Sequence, residues 1–517
     1  MMSIGLAGLR IAKRNASFDL QCCGLFRRPH AQPGGVGAGL ARLTGYFSHE
    51  TLLVCVASGR VLRAHVDDAV IQDKERCHID TQALRLIARM HGSGWYARST
   101  DLFQIDRPSW AAWQERTRKR NLRDGFPMRG ALSAPGDIVC AAIEHSQATN
   151  REDMLKIAVL GGGNGSFAAA GDFTLSGHEV RLWRRDPAEV KAHRDQGGTI
   201  SVVDRSGRRE ARLAMVTSSI AEAIEAADLI LCPAPAFAQP AIAELAGPHL
   251  RDGQVVFLPP GTFGSYIFAC AAKDAGNRAE IATAETGTLP WLARKQGSYA
   301  VRISGRGARL PTGVFPLRLA PHALDVIERA FPNAIEPCGD ALSGALMNAG
   351  PIIHPPLITM NAGPIEHFEK WDIHKEGTQP AIRRVTDALD AERIAIREAL
   401  GYGAPHFPLA DHYSRDGEPW MYARDAHDQL TDSGDWSERL ILVEHRYMLE
   451  DLRLGLSFLA SVADLAGVQT PLVGAFLAIG SAVTRQDFAV TGRTLSSLGL
   501  GDFDRAALQN LLVEGFR

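Results

Sequence analysis

Residues 156–166 read K-I-A-V-L-G-G-G-N-G-S. Ile157–Leu160 is a short apolar run of β-type residues. It drives into a turn built from Gly161, Gly162, Gly163 and Gly165, and a helical stretch, Phe167–Leu175, follows and is closed by Gly177. A strand, a glycine turn and a helix in this order open a βαβ unit of the kind that binds dinucleotides. Glycines let the backbone turn tightly and come close to a pyrophosphate. The helix N-terminus then offers unpaired N–H groups and the positive end of a dipole. Gly161, Gly163, Asn164, Gly165 and Ser166 are therefore the expected cofactor contacts. Ser166 stands where a third glycine is usual, and a side chain this small still permits close helix–strand packing. Such a unit normally begins its domain, yet 155 residues precede Lys156.

The end of the second strand bears on the choice of nucleotide. An acidic residue about 20 positions past the glycines would accept a hydrogen bond from the ribose 2′-OH of NAD. Here Val180–Trp183 runs into Arg184 and Arg185, followed by Asp186. Two guanidinium groups suit a 2′-phosphate, which they can grip in a planar fork. The expectation is NADP(H), with NAD(H) the alternative, since Arg184 and Arg185 could equally form a solvated basic turn.

Composition narrows the class. Of 517 residues 45% are hydrophobic and 22% charged, which indicates packed globular structure. A net charge of −2 gives no reason to expect nucleic acid or an anionic membrane as partner. The eight cysteines form no CxxC pair and no His/Cys cluster at zinc spacing, so a reducing cytoplasm is the simplest setting. Arg10, Lys13, Arg14 and Asp19 break up residues 1–25, so a signal-peptide core is not expected there, and no uncharged apolar run is long enough to span a bilayer; the best candidate, Leu454–Val483, is broken by Asp464, Gln469 and Pro471.

Along the chain, residues 154–340 alternate short apolar runs with helical stretches. The runs are Ile157–Leu160, Val180–Trp183, Leu229–Cys232, Val255–Leu258 and Ala279–Ala284, with helices at Ile220–Ala226 and Pro240–Leu245 among those between them. This alternation predicts an α/β Rossmann-type doubly wound parallel sheet. Residues 341–517 turn helical, with apolar spacings of three and four in Arg383–Leu400, Ser437–Leu449, Leu456–Ala466 and Pro471–Thr484. An all-α substrate domain is expected there.

The helical half also carries specific motifs: N-A-G-P-I-I-H-P-P-L-I-T-M-N-A-G at 348–363, H-R-Y-M-L-E-D-L-R-L-G-L at 445–456, T-P-L-V-G-A-F-L-A-I-G-S-A-V at 470–483 and G-R-T-L-S-S-L-G-L at 492–500. With the glycine turn, these resemble the octopine/nopaline (opine) dehydrogenase family over residues 154–517. The resemblance implies a Rossmann domain, a helical domain like that of 6-phosphogluconate dehydrogenase, and an active site in the cleft between. The implied reaction is NAD(P)H-dependent reductive condensation of an α-keto acid with the amino group of an amino acid. It further implies His354 as catalytic acid/base, Asp451 as its partner and Arg446 as anchor of the keto-acid carboxylate. These roles make chemical sense: neutral imidazole titrates near neutrality, a carboxylate fixes its tautomer, and arginine forks onto a carboxylate. Thr262, Thr286, Thr288 and Asn348 are expected to line the substrate cleft, and Pro233 to flank the nicotinamide ribose; each could instead serve a turn. His354, followed by two prolines, could instead end a helix. Many relatives read E-D-V-P-Y-G-L where this chain reads E-D-L-R-L-G-L, so Arg453 and Leu454 suggest a different amine, as do bacterial relatives that build metal-binding opines from larger amines.

Residues 54–112 contain G-R-V-L-R-A-H-V-D-D-A-V-I at 59–71 and A-L-R-L-I-A-R-M-H-G-S-G-W-Y-A-R-S-T-D-L-F-Q-I-D-R-P at 83–108, and through these they resemble the C-terminal part of flavin reductase-like proteins, which bind FMN on a split β-barrel. Only the tail of such a barrel is present, so FMN is not expected, and residues 1–153 are read as a fusion remnant or a misassigned start, with a degenerate interaction module the alternative. Two other functions stand beside the main one: a simple 2-keto or hydroxy acid dehydrogenase without an amine, and a non-catalytic NADP(H)-binding protein. The sequence leaves a homodimer open and calls for no metal.

Overall fold

The computed structural model describes residues 154–414, 421–422 and 439–516, together with the backbone strands 9–14, 17–26, 37–46, 54–57, 60–63, 78–79 and 103–104. The chain divides into two compact units, Met1–Thr149 and Asn150–Arg517. In the first, Leu9–Arg14, Ser17–Phe26 and Gly37–Tyr46 pair as an antiparallel sheet, although the sequence shows no sustained periodicity there. Val54–Ala57 pairs with Arg60–Arg63 and His78–Ile79, which pairs with Phe103–Gln104. The rest of the segment that resembles a flavin reductase, and the FMN site it would hold, lie outside the described residues.

The second unit is built on six parallel strands. They are β1 (Lys156–Leu160), β2 (Glu179–Trp183), β5 (Met215–Thr217), β6 (Leu229–Leu231), β7 (Val255–Leu258) and β8 (Ala282–Thr286). The antiparallel hairpin β3 (Thr199–Asp204) and β4 (Gly207–Arg212) is inserted between β2 and β5. The parallel strands lie in the order β5-β2-β1-β6-β7-β8, so the winding reverses between β1 and β6. Ligands bind outside the carboxyl ends of the strands at such a reversal. The strands are buried on both faces: Ile157 and Val159 join one apolar cluster, Ala158 and Leu160 the other. This is why they read as unbroken apolar runs.

Beyond the parallel core, β9 (Trp291–Lys295) and the sixteen-residue β10 (Ala300–Phe315) pair antiparallel. β10 continues the sheet antiparallel to β8 and parallel to β3. The sequence reading missed both strands because Arg302, Arg306 and Arg309 interrupt the apolar pattern. The expected strand Ala279–Ala284 is found three residues later, at β8.

From α1 (Asn164–Leu175) in the parallel unit the chain passes eventually to a helical lobe. Its main helices are α2 (Gly350–Met360), α3 (Pro380–Ala399), a π-helix at Tyr447–Leu456, α4 (Ser457–Ala466) and α5 (Pro471–Thr484). Their apolar faces form one core that also takes in Phe263, Tyr266 and Phe315 of the sheet unit. The helix expected over Ser437–Leu449 is not formed over residues 439–445. Ile441 and Val443 are exposed and Leu442 is buried, and helical backbone starts only at the edge of the π-helix. α2 continues past Pro355 and Pro356, so the two prolines do not end it. Among the described residues no helix is long and apolar enough to cross a membrane, and no His/Cys/Asp/Glu group is placed to hold a metal.

Candidate active site

The glycine turn sits where β1 meets α1. Gly161 has φ of 132°, a left-handed conformation that disfavours any side chain, and its N–H donates to the Trp183 carbonyl at 3.0 Å. A Cβ on Gly165 would come within 2.8 Å of Leu289 and 3.2 Å of Pro233, so the turn is also packed closely from outside. Pro233 is thus beside the turn. Ser166 is buried, and Asn164 uses its Oδ1 to accept the Lys295 N–H at 2.9 Å. Gly163, by contrast, has open space where a Cβ would stand.

Arg184 and Arg185 part company. Arg184 folds beneath the turn, where it pairs with Glu189, while Arg185 stands exposed. Asp186 caps the helix Pro187–Asp195 by accepting the Ala188 N–H at 2.8 Å. That position suits a helix N-cap more than a ribose ligand.

The helical lobe supplies the acid/base pair. His354 on α2 and Asp451 in the π-helix are 97 residues apart, yet Nδ1 lies 2.8 Å from Oδ2. Both side chains are mostly buried, at 14% and 8% exposure. Burial holds the imidazole well below its usual range, and the Arg446 charge adds to this. Burial also pushes the Asp451 carboxyl up, with Arg446 opposing it. The ring of Tyr447 stacks on His354 with centroids 3.6 Å apart and planes within 9°. Tyr447 is held in turn by a 2.9 Å hydrogen bond between its hydroxyl and His374 Nε2.

The π-helix makes this arrangement possible. In an α-helix each residue advances about 100°, so two residues five apart diverge by roughly 140°. Bonding between residues five apart, as in a π-helix, brings them to one face instead. Arg446 immediately precedes the π-helix, five positions before Asp451, and its charge acts on both His354 and Asp451. Close packing leaves little slack: a Cβ on Gly350 would stand 2.3 Å from Asp451 Oδ1.

The remaining expected residues fall into two groups. Asn348 donates from Nδ2 to Thr262 Oγ1 at 2.7 Å and accepts the Gly350 N–H at 3.0 Å, so it links the start of α2 to the loop after β7. Thr262 holds a positive φ of 53° within that loop. Thr288 faces the Tyr422 hydroxyl at 3.4 Å. Thr286, however, is buried in the sheet, where its hydroxyl donates to the Pro311 carbonyl at 2.8 Å.

Several residues at the site were not expected. Glu450 accepts the Ala236 N–H at 2.8 Å, and buried Arg493 donates to the Ala236 carbonyl at 2.8 Å and the Thr262 carbonyl at 2.6 Å. Two side chains of the helical lobe thus grip one residue of the loop after β6 by both of its backbone groups. Glu450 Oε2 is buried with no hydrogen-bond partner among the described residues. Burial raises Glu450 to about 7, helped by Asp451 next to it. Glu285 also rises to about 7 through burial, although it accepts the Phe263 and Ser265 N–H groups. The quoted motif at 492–500 contained Arg493, and the one at 445–456 contained Tyr447 and Glu450, but only the fold shows what they touch.

A parallel sheet with this glycine turn at its reversal, and a buried His–Asp pair in the adjoining helical lobe, define an NAD(P)-dependent oxidoreductase. Residues 337–484 match the family described as NAD/NADP octopine/nopaline dehydrogenase, alpha-helical domain. The chain carries that domain and is a homologue of the opine dehydrogenases. It is 29% identical to an opine dehydrogenase of Arthrobacter sp. (strain 1C), over 68% of this chain and 97% of the relative. It is 28% identical to a vitopine synthase of Allorhizobium ampelinum, over 67% and 96%. The fold is shared with an octopine dehydrogenase solved with NADH and L-arginine, at a TM-score of 0.53 and 19% identity, covering 70% of this chain and 99% of that one.

Proposed function

We propose that this chain catalyses the NADP(H)-dependent reductive condensation of an α-keto acid with the amino group of an amino acid. The observation that carries the reading is the 2.8 Å His354–Asp451 contact beside Arg446, in a homologue of opine dehydrogenases. The residues at the glycine turn fit a dinucleotide: Gly161 turns the chain, the N-cap Gly163 of α1 is exposed and carries no side-chain cap, and Arg184 and Arg185 offer positive charge at the end of β2. Bound there, the reduced nicotinamide supplies the hydride.

The chain's own groups handle the protons and the substrates. With Nδ1–H donated to Asp451, the neutral imidazole leaves Nε2 as an acceptor. Because burial keeps His354 neutral at pH 7, Nε2 can take a proton from the substrate ammonium and free the amine to attack the keto carbon. The attacking nitrogen passes one proton to the keto oxygen, and the imidazolium returns its own to the resulting hydroxyl, which leaves as water; the protonated imine that remains is the hydride acceptor. Asp451 stabilises the imidazolium meanwhile. Arg446 anchors the keto-acid carboxylate and so orients the carbon to be reduced.

The test is NADPH oxidation over a matrix of keto acids and amino acids with the full chain. Oxidation that needs both substrates, and falls away in His354→Ala, is expected. Oxidation that proceeds equally without an amine would instead make the chain a simple keto acid reductase.

A further inference from the structure

The corner of the glycine turn holds a second cation that no motif announced. Lys295, the last residue of β9, reaches across to the turn. Its Nζ lies 3.2 Å from the Gly162 carbonyl and 4.1 Å from the centre of the Phe167 ring. Arg184 covers the same ring from 5.5 Å, and its Nε would lie 3.0 Å from a Cβ on Gly162. Gly162 is therefore bracketed by an ammonium and a guanidinium.

The charges in this corner do not balance. Arg184 is 7% exposed in its side chain, and its buried Nε has no hydrogen-bond partner among the described residues. Glu189 is the carboxylate paired with Arg184, and it is 54% exposed. His193 stacks on Phe167 at 5.9 Å, and burial with both cations drives it toward the neutral form, so it adds no charge. Partial burial and the Arg184 charge also lower Lys295, with Glu189 opposing them. A buried guanidinium and a half-buried ammonium that share one largely solvated carboxylate have charge to spare for another anion. The corner lies at the carboxyl end of β2, where the adenosine ribose of a dinucleotide is read.

We propose that Lys295 and Arg184 together form the seat of the 2′-phosphate of NADP(H), with Lys295 a specificity-determining residue. This rests on the NADP(H) reading above. A phosphate monoester carries close to two negative charges at pH 7. It would satisfy the orphan Arg184 Nε and draw the Lys295 ammonium from the Gly162 carbonyl. The 2′-hydroxyl of NAD(H) offers neither charge.

The experiment is calorimetric titration of the full chain with NADP+, NAD+ and 2′,5′-ADP, for the native protein and for Lys295→Met and Lys295→Arg. The native protein should bind 2′,5′-ADP and favour NADP+ over NAD+. Lys295→Met should weaken NADP+ and 2′,5′-ADP by about tenfold, the size of one charge-assisted hydrogen bond, while NAD+ changes by less than about threefold. Lys295→Arg should keep most of the preference. Equal losses for NADP+ and NAD+ in Lys295→Met would overturn the proposal, leaving Lys295 as a pin on the glycine turn. A native protein with no preference for the 2′-phosphate would overturn the NADP(H) reading itself, before any variant is made.

Discussion

Asp451→Asn is the sharpest probe of the site. The substitution keeps size and shape but removes the charge that faces the imidazolium. In the native protein, Oδ2 sits 2.8 Å from His354 Nδ1 with both groups mostly buried. At an effective dielectric near 20, unit charges about 4 Å apart attract by about 4 kcal/mol. The amide dipole restores part of this, so the barrier for the proton steps should rise by about 3–4 kcal/mol, or two to three decades in rate. The loss should fall on kcat, because Asp451 does not touch the keto-acid carboxylate or the nucleotide in this reading. The assay is steady-state NADPH oxidation with a keto acid and an amine, beside nucleotide titration to show an intact cofactor site. Activity within about threefold of native, with unchanged nucleotide binding, would refute a role for the pair in proton transfer.

Three further outcomes follow from the same geometry. Gly350→Ala places a Cβ 2.3 Å from Asp451 Oδ1, so it should cost about 1–3 kcal/mol of stability and, by displacing the carboxylate, at least tenfold in kcat; a thermal melt and the same assay check both. Tyr447→Leu removes the ring that faces the imidazolium, which destabilises the protonated form against Asp451, Arg446, His445 and His374 around it. The acid limb of the kcat/KM profile should then move to lower pH, whereas Tyr447→Phe, which keeps the stack, should leave it in place. Glu450, raised to about 7 in the folded chain, holds more protons there than when unfolded, so its contribution makes stability fall as pH rises from about 4.5 to 7. Glu450→Gln should therefore melt higher than native at pH 8, by on the order of 1–3 kcal/mol, and match it near pH 4.5.

What could be read in the sequence follows what each residue depends on. Five of the six described parallel strands were legible because burial on both faces leaves runs such as Val255–Leu258 apolar from end to end; β5, only three residues long, and the hairpin β3–β4, which carries Arg208, Arg209 and Arg212, were not. β10 was not, because its first half is shared with β9 and β3 and keeps arginines on its surface. Pro471–Thr484 was found to the residue, since proline starts it and its apolar spacing is helical. The stretch before the π-helix has similar spacing but lies in a turn, and local propensity does not distinguish five-residue from four-residue bonding. The His354–Asp451 contact was reached only through family motifs, because nothing local joins residues 97 apart. Lys295 at the glycine turn and Arg493 on Ala236 belong to the same case, with partners 133 and 257 residues away.

The π-helix sets stability and activity against each other in a way that chain length alone can reveal. Ten residues, Tyr447–Leu456, are wound more loosely than an α-helix of the same composition. Deleting one of them would let the segment recover regular bonding, and a purely thermodynamic optimiser would take that step. If the deleted residue lies after Asp451, in 452–456, Arg446 and Asp451 stay five apart in regular α-helix and stand about 140° from one another, with Asp451 turned away from His354. Such a deletion variant should fold at least as firmly and do nothing. The surplus residue is best understood as a registration mark, held in the chain by the reaction and not by the fold.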